Sequence, residues 1–173
     1  AFVTVKGENH IKSGHPWVFE GEITSVEGEY ENGDVVDVYS KKSRWLGSGY
    51  INDNSKIRIR IISRNANDKF DREFYRRRLR YAVDYRYTVM GETDFRCCRI
   101  IFGEADSFPG MTVDRFENIL VVQVLSLGIE RIKHFLIPDL VDVLSEYGAK
   151  IDAVYERNDV SIREKEGMQQ CKG

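Results

Sequence analysis

The spacing of apolar residues changes once along these 173 residues, just past Arg64. Before it, apolar residues come in short runs divided by turn residues. Ile57, Ile59 and Ile61 alternate with Lys56, Arg58 and Arg60, a period of two that predicts a strand with isoleucines on one face and cations on the other. After it, Phe70, Phe74, Leu79, Ala82, Val83 and Met90 fit one helical face. A chain with this pattern is expected to fold as two units. Residues 1–66 predict a small β pseudo-barrel and 67–173 a small α+β domain, headed by a linker helix over about 68–90. The fold class is mainly β plus α+β.

Local signals refine this. Phe2, Val3 and Val5 open a strand, and a short helical segment from Gly7 ends near Lys12, with Gly14 at the C-cap glycine position. Strands are expected at 35–39, 45–51, 99–102, 111–116, 119–126 and 151–155. Glu117-Asn118 has hairpin spacing. Asp68 is the expected cap of the linker helix, along which Arg72, Arg76 and Arg80 share a stripe. A helix from Ile129 to Tyr147 is expected to kink or restart at Pro138. Ser161 and Glu164 have capping-box spacing for a short last helix that Gly167 ends.

Composition excludes several classes. With 42% hydrophobic and 31% charged residues, the chain is not disordered. Its longest apolar run, Ile119 to Val122, is too short to span a bilayer. Three cysteines, two of them adjacent, make neither a disulfide framework nor a zinc site, and no N-terminal signal pattern is present. These features predict a reduced, cytoplasmic, membrane-free protein. The net charge of −2 is unevenly spread. Residues 1–64 balance nine cations against nine acids, 65–100 carry nine against six, and 101–173 carry eight against thirteen.

No catalytic constellation stands out. Gly47-Ser48-Gly49 lies between strands without a third glycine, which fits a strand bend rather than a phosphate cradle. His10 and His15 have no third ligand nearby. Cys97 and Cys98 adjoin Arg96 and Arg99, but Cys98 opens an apolar strand and reads as structural. Glu104, Asp106 and Asp114 read as turn caps and partners of Arg115. The clearest signal is cations interleaved with aromatics: Lys12, His15 and Trp17 around one turn, Lys56, Arg58 and Arg60 along one strand, and Arg76 and Arg80 as a neighbouring basic stripe. Such a pattern suits phosphates and unpaired bases; ordinary surface charge on a β domain gives the same pattern.

Longer motifs are more specific. Lys12 to Ile23 reads KSGHPWVFEGEI, followed by GDVV from Gly33, LGSGYIN from Leu46 and SKIRIRI from Ser55. This stretch resembles a PUA domain, a small RNA-binding pseudo-barrel. More narrowly, it resembles the one heading a family of bacterial class I S-adenosylmethionine (SAM)-dependent 23S rRNA (cytosine-5)-methyltransferases. FGEADSFPGMTVDRF from Phe102, VVQ from Val121, LGIE from Leu127, YERND from Tyr155 and REKEGM from Arg163 resemble that family's central domain. The resemblance implies RNA, most simply rRNA, as partner, and SAM as cofactor of the parent protein, held by a catalytic domain that follows the central one. No cofactor, metal or catalytic residue is assigned to this chain, and none of Cys97, Cys98 or Cys171 inherits a nucleophile's role. The chain is expected to be an RNA-recognition fragment that neither holds SAM nor transfers methyl groups. A stand-alone RNA-binding or interaction module is the alternative.

Two surfaces follow as expectations. Lys12, His15, Trp17, Lys56, Arg58, Arg60, Arg76 and Arg80 would touch RNA. Glu104, Asp106, Asp114, Arg115, Glu156, Arg157, Asp159 and Arg163 would meet in space, either to dock the missing methyltransferase domain or to brace turns internally.

Overall fold

A computed structural model describes all of residues 1–173. The first unit holds six strands: β1 (Phe2–Val3), β2 (Trp17–Val18), β3 (Ile23–Ser25), β4 (Val35–Ser40), β5 (Trp45–Ile51) and β6 (Ile59–Ser63), with helix α1 (Val5–Lys12) between the first two. They form one sheet ordered β2-β6-β5-β4-β1-β3, a nearly closed pseudo-barrel whose β1 runs parallel to β4. The second unit begins with helix α2 (Arg72–Asp94), then β7 (Cys97–Phe102), β8 (Met111–Phe116), β9 (Ile119–Val124), α3 (Leu127–Glu146), β10 (Ala153–Asn158), α4 (Ile162–Lys165) and β11 (Cys171–Lys172). Its sheet is ordered β11-β10-β9-β8-β7; α3 is the crossover that lets β10 lie parallel to β9.

Several local expectations shift. Helix α1 starts at Val5, because the Thr4 hydroxyl caps it by accepting from the Gly7 amide at 3.2 Å. Asp71, not Asp68, caps α2, accepting from the Phe74 amide at 2.9 Å. Asp68 instead takes a hydrogen bond from the Ser63 hydroxyl at 2.6 Å and pins the connection between units. Met90 is exposed rather than on the buried face of α2. Helix α3 runs through Pro138 as one element, without a restart. Ser161 makes no side-chain cap to α4, since its backbone is already helical. Gly49 explains the glycine pair of β5: a Cβ there would sit 2.4 Å from the Arg60 carbonyl oxygen, at the bulge where β5 and β6 change register.

Two apolar cores result. Val3, Ile11, Val18, Val38, Leu46, Ile51, Ile59 and Ile61 fill the barrel. The larger core lies between the second sheet and helices α2 and α3, and includes Tyr50 of β5 and Ile62 of β6. Strands β5 and β6 are therefore buried on both faces. The outward faces of these two strands are the seam between the units, so Arg60 of the expected cationic face is enclosed there, while Lys56 and Arg58 precede β6, the first exposed and the second half-buried.

The arginine stripe of α2 also turns inward, against α3. Asp139 is fully buried and accepts from Arg72 at 2.8 and 2.7 Å and from Arg76 at 3.1 Å. Arg80 reaches Glu146 at 3.0 and 3.1 Å. Arg76 and Arg80 thus hold two helices together and are not a free basic stripe.

The Arg72 hydrogen bonds, followed by the nearby positive charge of Arg72 and Arg76, hold the Asp139 carboxyl below its ordinary value near 3.8. A depressed carboxyl stabilises the fold above the unfolded-state value, and that contribution is lost as pH falls through the folded one. Asp139→Asn is expected to cost about 2 kcal/mol at neutral pH. Urea titrations should show the gap between wild type and variant closing below roughly pH 4. A gap unchanged down to pH 3 would contradict the assignment.

Candidate nucleic-acid interface

The Gly14 turn closes α1. Gly14 has φ of +97°, and the amides of Gly14 and His15 donate to the carbonyls of Ile11 and His10, each at 3.0 Å. Nothing lies within 4 Å of a Cβ built on Gly14, so the turn's backbone is open to an approaching group. Beside it the rings of His10, His15, Trp17 and Phe19 form a chain with neighbouring centroids 5.8 to 6.3 Å apart. His10 and Phe19 were not selected from sequence. Both belong to the patch, Phe19 at 38% exposure; a KSGHPWVF run that ends a helix and enters a strand was the available signal.

Each expected RNA contact has a definite place. Lys12 is exposed and paired one turn back with Glu8. His15 is half-buried, its Nδ1 accepting from the Trp17 amide at 3.2 Å. Trp17 points partly inward, its indole N–H donating to Glu104 at 2.7 Å. Lys56 is exposed and borders a cavity of about 470 Å³ with Asn54, Ile57, Ile162 and Lys165. Arg58 pairs with Asp53.

Arg60 is the largest departure from expectation. It is 8% exposed and contacts Glu166 at 2.9 Å and Glu104 at 3.5 Å, with its guanidinium 5.8 Å from the Trp17 ring centre. Glu166 also accepts from the Ser55 hydroxyl at 2.6 Å and the Asn52 amide at 3.2 Å. Arg60 is the buried partner of a carboxylate from the second unit, and the strand face expected to be open is covered there.

The eight residues expected to meet as a docking cluster do not pair with one another, because β9 lies between β8 and β10. Asp106 pairs with Arg86 at 2.6 Å, Asp114 with Arg99 at 2.8 Å and Glu156 with Lys133 at 2.7 Å. Asp159 faces Lys172 at 3.6 Å. Arg115 donates to the backbone of Phe95 and Glu117, and Arg163 to Glu130 at 3.1 Å. Only Arg157 is exposed without a partner. Asp114 and Arg157 do share the uncovered face of the second sheet. Register places Phe102, Phe116, Ile119 and Tyr155 there too, each 41 to 55% exposed.

The titrating groups are structural. Burial pushes the Cys98 thiol up, against the pull of Arg115 and Arg86. Burial likewise pushes Glu130 up, but Arg163 and Lys133 outweigh it and its pKa lies below the ordinary value. No group of three or more His, Cys, Asp or Glu is placed to hold a metal. No helix is long and apolar enough to cross a membrane.

Fold and surface together define a PUA-like barrel built onto an α+β unit, and residues 2–64 match the family model described as a PUA-like domain. Over 172 residues, 99% of this chain, the sequence is homologous to proteins named ribosomal RNA large subunit methyltransferase I. Identity is 34% to that of Klebsiella pneumoniae (strain 342), and 36% to those of Serratia proteamaculans (strain 568) and Escherichia coli (strain SMS-3-5). The chain spans 42% of the length of these relatives. The fold also matches two solved structures at 18% identity, covering 90% of this chain and 39% of theirs. One is a candidate SAM-dependent methyltransferase from Streptococcus mutans, at a TM-score of 0.74. The other, SMU.776, is a candidate methyltransferase complexed with SAH, at 0.75.

If Arg60 holds the seam, Arg60→Ala leaves the Glu166 carboxylate buried without its cation and is expected to cost about 3–5 kcal/mol in denaturant unfolding. Pairing Arg60→Met with Glu166→Gln should recover much of that loss. An Arg60→Ala protein as stable as the wild type would refute the assignment.

Proposed function

We propose that this chain is the RNA-recognition part of a SAM-dependent rRNA methyltransferase, with methyl transfer carried out by residues outside these 173. The observation that carries this reading is the 34–36% identity along 99% of the chain to proteins named for large-subunit rRNA methylation. The substrate class is then rRNA. By the resemblance of the motifs, the modified atom is C5 of a cytosine, reached after attack on C6 by a cysteine supplied elsewhere.

The geometry supports the division of labour. A dinucleotide-type fold binds phosphate where a strand feeds a crossover helix through a glycine-rich turn. The parallel pair joined directly by a single helix is β9-α3-β10, and the start of α3 is occupied: a Cβ on Gly128 would lie 2.1 Å from the Tyr50 ring. Calorimetry showing saturable micromolar SAM binding to this chain would overturn the division.

On this reading the Gly14 turn, Lys12, His15 and Phe19, with Lys56 and Arg58 further along the barrel, meet the RNA. Each phosphate contact removed should flatten the slope of log affinity against log salt by roughly 0.7 to 0.9. Lys12→Ala and Arg58→Ala are expected to weaken binding to a structured rRNA fragment and flatten that slope, while Lys150→Ala, in the acidic third, does neither. Wild-type behaviour from all three would show that the RNA lies on another face.

The uncovered face of the second sheet is the docking surface on the same reading. Phe102, Phe116, Ile119 and Tyr155 supply apolar area, flanked by the Arg99–Asp114 pair and Arg157. The occupant is the methyltransferase domain. In the longer protein this requires, Phe116→Glu should loosen the domain arrangement seen by small-angle scattering and lower activity, without unfolding residues 1–173. An unchanged scattering profile with full activity would exclude docking there.

A further inference from the structure

The barrel and the second unit are sealed along β5 and β6, but beside that seam they leave an open groove. It begins at the Gly14 turn. There a cavity of about 240 Å³ is bordered by Gly14, Pro16, Arg64, Arg78, Glu104 and Ser107. Arg78 and Ser107 also border the next cavity, of about 460 Å³, which Asn65, Arg77 and Tyr81 line further along α2. One helical turn on, about 6 Å along the axis, stands Tyr85, with the Arg86 guanidinium 5.0 Å from its ring centre. The two cavities adjoin through Arg78 and Ser107 and run from Gly14 to Tyr81, and Tyr85 stands just beyond their end.

The chemistry of the groove is specific. Tyr81 and Tyr85 are 65% and 58% exposed, and neither hydroxyl has a hydrogen-bond partner in the protein. Burying one face of each ring against the core would have been the stabilising choice for tyrosines on a helix. These two stay more than half exposed instead. The acids along the groove are already committed. Asp106 is held by Arg86 at 2.6 Å, Glu104 by Trp17 at 2.7 Å, and Asp68 by Ser63 at 2.6 Å. Arg64 has no acidic partner and only the His15 carbonyl at 3.2 Å; Arg77 has a single long contact to Asp68 at 3.4 Å. The uncommitted charge of the groove is thus positive, and exposed rings follow it along α2.

We propose that an unpaired RNA strand lies in this groove, running from the Gly14 turn to α2, with phosphates on Arg64 and Arg77 and bases stacked on Tyr81 and Tyr85. The inference rests on the RNA-recognition reading and adds a strand path and a single-stranded substrate to it. Rings one helical turn apart suit bases splayed out of a stack, which is how unpaired RNA is held. A duplex presents backbone and groove edges to a protein, and no free base faces. A protein partner fits this groove less well, since six of the nine residues lining its larger cavity are not hydrophobic. The apolar face offered to a protein is on the second sheet.

Fluorescence anisotropy with a labelled 12-nucleotide oligouridylate, and with an RNA duplex of equal length, tests the path at low salt. Tyr81→Ala and Tyr85→Ala are each expected to weaken oligouridylate binding roughly tenfold with an unchanged salt slope, because a lost stacking contact releases no counterion. Tyr81→Phe should stay within about twofold of wild type, since the ring face is kept. Arg77→Ala should flatten the slope by roughly 0.7. Duplex binding should not respond to either tyrosine. All these residues are exposed on a formed helix, and an unchanged unfolding midpoint confirms that the variants fold.

If the wild type binds oligouridylate and the alanine variants bind equally well, the strand path is wrong while RNA recognition stands. Equal loss of duplex and single-strand binding in the tyrosine variants also rejects it, because base stacking is then not what they supply. If the wild type binds neither RNA, this inference and the reading beneath it both fall. Self-association of the wild type that Tyr81→Ala abolishes, with RNA binding unaffected, would make the face a protein contact instead.

Discussion

The guanidinium of Arg60, buried between Glu104 and Glu166, fixes how the two units sit on each other. Two carboxylates from opposite ends of the second unit converge on one cation of the first. Around them Ser55, Asn52 and Trp17 supply the remaining hydrogen bonds. A buried ion pair adds little net stability over an apolar pair of the same shape, but it tolerates few alternative geometries. Tyr50 does the complementary apolar work, its ring against Gly128 and its hydroxyl donating to Tyr75 at 2.7 Å. Polar and apolar contacts thus hold the same seam from β6 and from β5.

This arrangement explains which parts of the structure were legible in the sequence. The switch from period two to helical spacing near Arg64 marked the change from one sheet to the other, because local periodicity reports which face of an element is buried. The glycines at 14 and 167 marked helix ends, because each takes a positive φ that other residues resist. Periodicity does not report what covers a face. Lys56, Arg58 and Arg60 read as one solvated cationic row, yet Arg60 lies in β6, which is covered on both sides, and its covering carboxylate is more than a hundred residues away; Lys56 stays exposed. Arg76 and Arg80 misled for the same reason: a stripe of arginines looks identical whether it faces water or Asp139. Tyr81 and Tyr85 fall outside the apolar face the spacing defines, and spacing alone does not tell an exposed ring from one covered by a neighbouring element.

The molecule offers two unlike surfaces on opposite terms. The barrel's Gly14 turn and the flank of α2 combine uncommitted arginine with exposed rings. The far side of the second sheet combines phenylalanine, isoleucine and tyrosine with charges that are mostly paired in place. A net charge of −2 conceals this contrast, since the acids of the last third are spent on internal pairs with Arg76, Arg80, Lys133 and Arg163. What remains free on the surface, not the total, decides what approaches each side.

The seam also sets an order of events in synthesis. Asn52, Ser55 and Arg60 find their common partner, Glu166, only 106 to 114 residues later in the chain. A nascent barrel leaving the ribosome has every strand it needs, yet its fifth strand still carries a bare tyrosine and its sixth a solvated arginine. The tyrosine is enclosed once α2 and α3 have been made, the arginine only once Glu166, at the end of α4, has followed. The barrel's outer wall is therefore finished by almost the last residues of this stretch, and contacts of such long sequence separation close late. Until then the first unit waits with its docking side wet, and its arginine is what keeps that side hydrated.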